Sequence, residues 1–199
     1  SSSTINKLIF GEVNEVYDVV GKNGQKVIVR ISRSEHPRFE AEKRGIDLAR
    51  QVGVPAPEIL LVDRIGTGSG DLTFSIERKM DGVDLQGLGG KFNRGKLKIV
   101  IGEAGGALAK LHSVMIPNFG GLDRDKEDAY KNWSDFIYGV EEKRSRIIEA
   151  GERMGVNTAQ IDTVLKVLRN GEELYGDVKP HLLHGDFSTK HFMVKDDHL

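Results

Sequence analysis

The chain contains 199 residues, of which 38% are hydrophobic and 30% charged, with 29 basic and 30 acidic side chains and no cysteine. Such a chain can bury roughly 70% of its unfolded surface, so it needs no disulfide or structural metal to fold. The lack of cysteine excludes thiol nucleophiles and thiolate metal sites. A net charge of −1 argues against a nucleic-acid partner held by the overall field. No run reaches the ~18 apolar residues of a membrane span, so no membrane partner is expected.

The first elements are strands. Ser1 to Thr4 lack a signal pattern, and we interpret them as a remnant outside the fold. Residues 8–31 alternate as strands do, and the Asn23-Gly24 pair within them predicts a β-hairpin, because both residues tolerate positive φ. The strand after this turn is rich in β-branched residues and carries Arg30.

A helix and two further strands follow. Helical periodicity predicts a helix over 37–52, which a glycine and two prolines end. Residues 59–62 and 72–76 are predicted as strands joined by a loop at 66–70. Residues 1–80 therefore predict a small, mostly antiparallel sheet with one helix.

The composition then changes towards a mainly helical region. The predicted elements are, in order, a glycine-rich crossing at 81–95, helices at 97–111, 133–148 and 161–174, and short strands at 182–183 and 192–194. Asn157 or Thr158 is the expected N-cap of the third helix. The fold class is α+β, with a β-rich N-lobe at 1–80 and, at 81–199, a hinge and the first part of a helical C-lobe.

A polar turn near the end of the chain carries the strongest chemical signal. His184-Gly185-Asp186 follows a short apolar strand, and His191 enters the next strand. The glycine permits a backbone geometry that lets the flanking side chains face one cavity. An aspartate on such a turn can orient a hydroxyl and accept its proton, and a ligand five residues later can hold a metal. The alternative is a hairpin with an Asp-capped turn.

This turn resembles the catalytic loop, His-Gly-Asp-x-x-x-x-Asn, of the aminoglycoside phosphotransferase and choline kinase family, which has the two-lobed protein kinase-like fold. The resemblance implies that Asp186 is the catalytic aspartate and that His184 braces the loop. His191 stands at the position of the metal-binding Asn. Mg²⁺ prefers oxygen ligands, so His191 could bind through nitrogen, act through a bridging water, or only pack.

The resemblance extends to the nucleotide-binding elements. Gly11 and Asn14 lie where the family has its phosphate-covering loop, although an ordinary hairpin turn is the alternative. Arg30 matches the Lys or Arg that binds nucleotide phosphates, and the alternative is a strand Arg facing solvent. Glu42 is expected to pair with Arg30, with Glu40 as the competitor on another helix face.

The hinge and the end of the chain complete the comparison. The backbone of Glu77, Arg78, Lys79 and Met80 is expected to meet the purine edge. Family members carry a further metal-binding Asp, in an Ile-Asp-aromatic setting, a dozen or more residues after the turn. The sequence ends at Leu199 without that triplet, so we expect a truncated chain.

The resemblance implies a cytoplasmic kinase that uses Mg²⁺ and moves the γ-phosphoryl group of ATP, or of GTP, to a hydroxyl of a small molecule such as an aminoglycoside or a related antibiotic or metabolite. Arg30 and Asp186 are expected to face each other across an interlobar crevice. One alternative is a kinase-like module that binds nucleotide without catalysis. Another is an unrelated α+β domain with a chance turn. The sequence does not indicate an oligomeric state.

Overall fold

The structure is a computed structural model, and it describes residues 4–8, 14–34, 36–68, 70–88, 93–122, 129–139, 144–175 and 177–199.

Within these residues, the N-terminal part is a five-stranded antiparallel sheet with the strand order β1-β2-β3-β5-β4. Its strands are β1 (Thr4–Leu8), β2 (Asn14–Val20), β3 (Lys26–Ser32), β4 (Ile59–Thr67) and β5 (Gly70–Arg78). The predicted succession of three strands, one helix and two strands is confirmed. Two details were wrong: β4 and β5 continue into the predicted loop 66–70, and Thr4 pairs with Val20 inside the fold.

The hairpin between β2 and β3 forms at the predicted Asn-Gly pair. The Gly21 amide donates to the Gln25 carbonyl at 2.8 Å, and the Gly24 amide donates to the Gly21 carbonyl at 2.9 Å. Gly24 has a φ of 79°, whereas Asn23 keeps a negative φ. The turn therefore uses one left-handed residue, where a two-residue Asn-Gly turn would use two.

Helix α1 (Phe39–Gln51) confirms the predicted helix and packs through one apolar stripe. Its buried residues are Phe39, Ala41 and Ala49. It ends at Gln51, and Gly53, with a φ of 74°, turns the chain so that the Val54 amide donates to the Ala49 carbonyl at 3.0 Å. Glu42 lies in the first turn of α1, beside Arg30 of β3.

The predicted glycine-rich crossing contains two short elements that sequence patterns missed. These are β6 (Val83–Asp84) and the single-turn helix α2 (Leu85–Leu88). Strand β6 pairs antiparallel with β7 (Met193–Val194) from the far end of the chain. A two-residue strand has no periodicity to detect, because its partner alone defines it.

Helix α3 (Arg94–His112) confirms the predicted long helix, and its N-cap Asn93 accepts from the Lys96 amide at 2.9 Å. Its buried face packs against α2, Phe192 and β7. The core residues are Leu85, Val100, Ala104, Phe192 and Val194. This core fixes the chain that leaves the His-Gly-Asp turn.

The remaining described helices are α4 (Trp133–Tyr138), α5 (Arg144–Arg153), α6 (Thr158–Asn170) and α7 (Glu172–Tyr175). The single helix predicted over 133–148 was wrong, because α4 ends at the C-cap Gly139, against the Tyr130 ring. The third predicted helix is confirmed as α6, capped by Asn157, although Leu174 belongs to the separate α7.

The predicted strand at 182–183 is absent from the described structure, and 192–194 is confirmed only as β7. No strand forms at 182–183 because β7 pairs with β6 instead, and His181 forms only an isolated antiparallel bridge with Met115. The turn that leaves β7 is a tight one, with Asp196 at a φ of 52° and Asp197 at 69°.

The chain divides into two compact units, one formed by residues 1–114 with 183–199 and the other by residues 115–182. The first unit contains the sheet, α1, α3 and the His-Gly-Asp turn. In the second unit, Phe119 and Trp133 pack at 5.4 Å between ring centroids, and Trp133 stacks on Phe136 at 4.8 Å. None of the described helices combines the length and apolar character that crossing a bilayer requires.

Candidate functional site

Arg30 is held in β3 by the carboxylate that the sequence predicted. Its Nη1 lies 2.8 Å from Oε1 of Glu42, and its guanidinium carbon lies 5.2 Å from the centre of the Phe39 ring. The Arg30 side chain is only 17% exposed. Glu40, the competitor, is exposed on another face of α1. The alternative of a solvent-facing strand Arg is therefore wrong.

A second carboxylate, which the sequence analysis did not place there, also lies beside Arg30. Oε2 of Glu77, at the end of β5, is 3.4 Å from Nη2 of Arg30. Burial raises the pKa of Glu77, and the charge of Glu42 acts in the same direction, while Arg30 opposes both. The ionised form of Glu77 is thus destabilised despite the neighbouring guanidinium.

One edge of the Arg30 guanidinium remains without hydrogen bonds. Nε and Nη2 are both buried, and neither has a hydrogen-bond partner among the described residues. Directly across the β3–β5 ladder, the buried Ser75 hydroxyl also lacks a partner there. The Nε and Nη2 protons form the parallel pair of donors with which an arginine binds a carboxylate or a phosphate in bidentate fashion.

The segment expected to meet a purine is partly engaged in the sheet. The Arg78 amide donates to the Glu58 carbonyl at 2.8 Å, and the Lys79 amide donates to the Lys26 carbonyl at 3.2 Å. Of the four residues proposed for this contact, Met80 follows the sheet, and no described group bonds to its amide. The Lys79 ammonium lies 2.6 Å from an Asp18 carboxylate oxygen, which fixes the segment to β2.

The Asp186 carboxylate is exposed and is held through one oxygen. Gly185 has a φ of 82°, a value that strongly favours glycine, and the turn brings Lys190 and His191 back towards Asp186. Their Nζ and Nε2 atoms lie 3.1 Å and 3.0 Å from Oδ2 of Asp186. Hydrogen bonds from His191 and then from Lys190 lower the pKa of Asp186. No described residue bonds to Oδ1, so this oxygen is free to accept a hydrogen bond.

His184 braces the backbone of the turn. The Asp186 amide donates to Nδ1 of His184 at 3.3 Å, which places the imidazole proton on Nε2. Although His184 has an exposed edge, its ring lies edge-on to Phe187 at 5.3 Å. Partial burial, and then the nearby charge of His191, lower the pKa of His184, so the acceptor form is favoured at neutral pH.

The chain that follows Met80 lies against the chain that follows the His-Gly-Asp turn. The Leu85 amide donates to the Phe192 carbonyl at 2.8 Å, and Lys195 lies 2.9 Å from Asp81. Gly82 has a φ of 123°, and a Cβ there would lie 2.7 Å from the Val194 carbonyl oxygen. Only glycine permits this close approach of the two backbones.

The expected metal site does not fit the described side chains. His191 bonds to Asp186, and within the described ranges no three His, Asp or Glu side chains converge as metal ligands. Mg²⁺ prefers several oxygen ligands, which this pair does not supply.

Two residues were predicted in the phosphate-covering loop. Asn14 is the first residue of β2 and pairs with Ser32 of β3, whereas Gly11 lies outside the described residues.

Residues 4–199 match the model of the phosphotransferase enzyme family, APH, and the chain therefore belongs to this family. The resemblance stated from the His-Gly-Asp turn is confirmed, and the alternative of an unrelated α+β domain is wrong.

Solved structures of kinases share this fold. The chain is 18% identical to a thermostable mutant of aminoglycoside phosphotransferase APH(4)-Ia in a ternary complex with ADP and hygromycin B, with a TM-score of 0.66. It is also 18% identical to a putative fructosamine-3-kinase from Thermobifida fusca YX-ER1, at 0.63, and to ADP-bound aminoglycoside phosphotransferase APH(2'')-Ib, at 0.59. These similarities confirm the predicted α+β, kinase-like fold class.

The coverage of these matches is unequal. Each comparison covers 98% of this chain but only 63%, 65% and 62% of the respective solved chain. No curated protein matches the sequence.

Proposed function

We propose that the protein is a small-molecule phosphotransferase that moves the γ-phosphoryl group of ATP or GTP to a hydroxyl of its substrate. The observation that carries this proposal is the Asp186 carboxylate, which is exposed, ionised and held through Oδ2, with Oδ1 available. A cytoplasmic location accords with this activity, because ATP and GTP are supplied there.

The nucleotide is proposed to lie along β3. The Lys79 amide bonds to the Lys26 carbonyl at one end of the strand, and Arg30 lies four residues further on. At ~3.3 Å per residue, this separation is about 13 Å, which suits the span from a purine edge to the outer phosphates. The Met80 amide would then receive the base, and Arg30 the phosphates.

The transfer step follows from the geometry of the turn. The substrate hydroxyl oxygen bonds to the γ-phosphorus, the bond from that phosphorus to the bridging oxygen breaks, and ADP or GDP leaves. The hydroxyl proton passes to Oδ1 of Asp186. Phosphoryl transfer needs mainly alignment and charge stabilisation, so fixing Oδ2 with Lys190 and His191 serves to aim the free oxygen.

Mg²⁺ remains an expectation from the family resemblance. When bound with a nucleotide, it would neutralise phosphate charge. The described residues do not form a Mg²⁺ site by themselves.

The acceptor class is proposed from the family, with aminoglycosides and other hydroxylated, amine-bearing metabolites as first candidates. The test incubates the protein with γ-labelled ATP or GTP and a panel of these compounds, and follows label transfer. The expected result is labelled product with at least one acceptor, formed at least about 100-fold more slowly by Asp186→Asn. Label transfer by Asp186→Asn at the wild-type rate would contradict the assignment of this residue.

One observation favours a second function, a kinase-like module that binds nucleotide without turnover. His191 occupies the Asn position of the family and bonds to Asp186. Tight binding of a nucleotide analogue, with no label transfer to any acceptor and no nucleotide hydrolysis, would favour this alternative.

A further inference from the structure

Arg30 presents two unlike sides to its two carboxylate neighbours. Nη1 forms a close ion pair with Glu42, whose side chain is 39% exposed. The opposite edge, with Nε and Nη2, is buried and makes no hydrogen bond to any described residue. The Phe39 ring lies close to the guanidinium carbon. Glu42 therefore holds one side of the guanidinium, while the edge formed by Nε and Nη2 is shielded from solvent but makes no hydrogen bond.

Glu77 is the described residue whose carboxylate lies beside that covered edge. Its Oε2 is 3.4 Å from Nη2, close enough for charge attraction but outside hydrogen-bonding geometry, and its side chain is only 15% exposed. Burial raises the pKa of Glu77, and the Glu42 charge adds to this effect. An anion held in this way gains less from Arg30 than it loses by leaving water.

We propose that Glu77 is a positioning residue. In the nucleotide-free protein its carboxylate occupies the position beside the Nε and Nη2 edge of Arg30 that a phosphate would take, the phosphate place, and it must be displaced when a nucleotide binds. This inference rests on the proposed function, in which Arg30 binds phosphates. Glu42 fixes Arg30 and favours nucleotide binding, whereas Glu77 competes with the phosphate and opposes it.

A purely structural role for Glu77 makes the opposite prediction. If Glu77 only helped Glu42 to hold Arg30, removing its charge would loosen the guanidinium and weaken phosphate binding. If Glu77 occupies the phosphate place, removing its charge relieves repulsion against the incoming phosphate and strengthens binding. The sign of the change in ADP affinity therefore separates the two roles.

The experiment measures the affinity of the full chain for ADP, in buffer containing Mg²⁺, and for adenosine by calorimetry. Glu77→Gln keeps the shape of the side chain and removes its charge, and Glu42→Gln is the matched control on the other side of Arg30. We expect Glu77→Gln to bind ADP at least about fivefold more tightly than the wild type, because like charges in close apposition are costly. Glu42→Gln should bind ADP more weakly, and the ratio of ADP affinity to adenosine affinity should rise in Glu77→Gln and fall in Glu42→Gln, so that any effect on the purine contact cancels. Thermal unfolding verifies that both variants are folded.

Unchanged or weaker ADP binding by Glu77→Gln, with normal ADP binding by the wild type, would overturn the role of Glu77 and leave the proposed function intact. Absence of ADP binding from the wild type and both folded variants would instead overturn the proposed function, and the role of Glu77 with it.

Discussion

The arginine cluster and the His-Gly-Asp turn are built in opposite ways. Arg30 in β3 takes its neighbours from two other elements, α1 and β5, and the side chains of Arg30 and Glu77 are only 17% and 15% exposed. Asp186 takes its neighbours from its own turn, and its side chain is 62% exposed. Changes to the turn should therefore alter chemistry with little effect on folding, whereas changes to the arginine cluster should alter folding and binding together.

The largest expected effect is on the turn. Asp186→Asn removes the proposed proton acceptor, and loss of a positioned acid or base typically lowers a rate about 10²–10⁴-fold. The free energy of unfolding should change little, because the ion pairs and hydrogen bonds of an exposed carboxylate contribute little to stability. Rates of label transfer and urea unfolding measure the two quantities. A variant that loses stability and activity together would break the contrast between the two regions.

The next effect concerns Gly82, where the strand after the proposed purine contact meets the strand after the turn. Gly82→Ala places a Cβ against the Val194 carbonyl, while Gly70 has the same φ of 123° and no described atom lies within 4 Å of the point that its Cβ would occupy. Both variants incur backbone strain, but only Gly82→Ala adds a clash. We expect it to be less stable than Gly70→Ala by about 1–3 kcal/mol, as measured by urea unfolding.

Equal stability of the two glycine variants would mean that the close contact with Val194 does not constrain the fold.

The smallest effect is a pH dependence in the arginine cluster. The pKa of Glu77 is raised above its ordinary value of 4.5, so its ionisation destabilises the folded state. As pH rises from 4.5 through the raised value, the wild type loses free energy of unfolding that Glu77→Gln does not lose. Urea unfolding of both proteins between about pH 4 and pH 8 should show that the free energy of unfolding of Glu77→Gln increases with pH relative to that of the wild type.

A stability difference between these two proteins that shrinks as pH rises would contradict burial as the dominant influence on Glu77.

The sequence predicted the contacts between residues that are close together in the chain. The turn's Gly185 and Asp186 lie next to each other in the chain, so a short motif describes them. The Arg30–Glu42 pair was also predicted, from the family resemblance and the spacing of the helix. These are contacts within one turn or between an element and the next one along the chain.

The contacts that were missed depend on strand order and on short pairings. Glu77 reaches Arg30 because β5 lies between β3 and β4, an order that local patterns do not encode. Strand β6 exists because β7 pairs with it, and two residues carry no periodic signal. The break after α4 depends on the packing of Gly139 against Tyr130.

The most direct test of the account is whether Arg30 binds phosphate. Calorimetry would compare ATP and adenosine affinities for the wild type, for Arg30→Met, and for Arg33→Met, a control that removes the same charge from an exposed arginine paired with Glu15. We expect Arg30→Met to weaken ATP binding at least about tenfold, because hydrogen bonds to charged groups are worth about 1.5–3 kcal/mol, while its adenosine binding and the control's ATP binding stay unchanged. An equal loss of ATP and adenosine affinity in Arg30→Met, or no loss of either, would contradict the account.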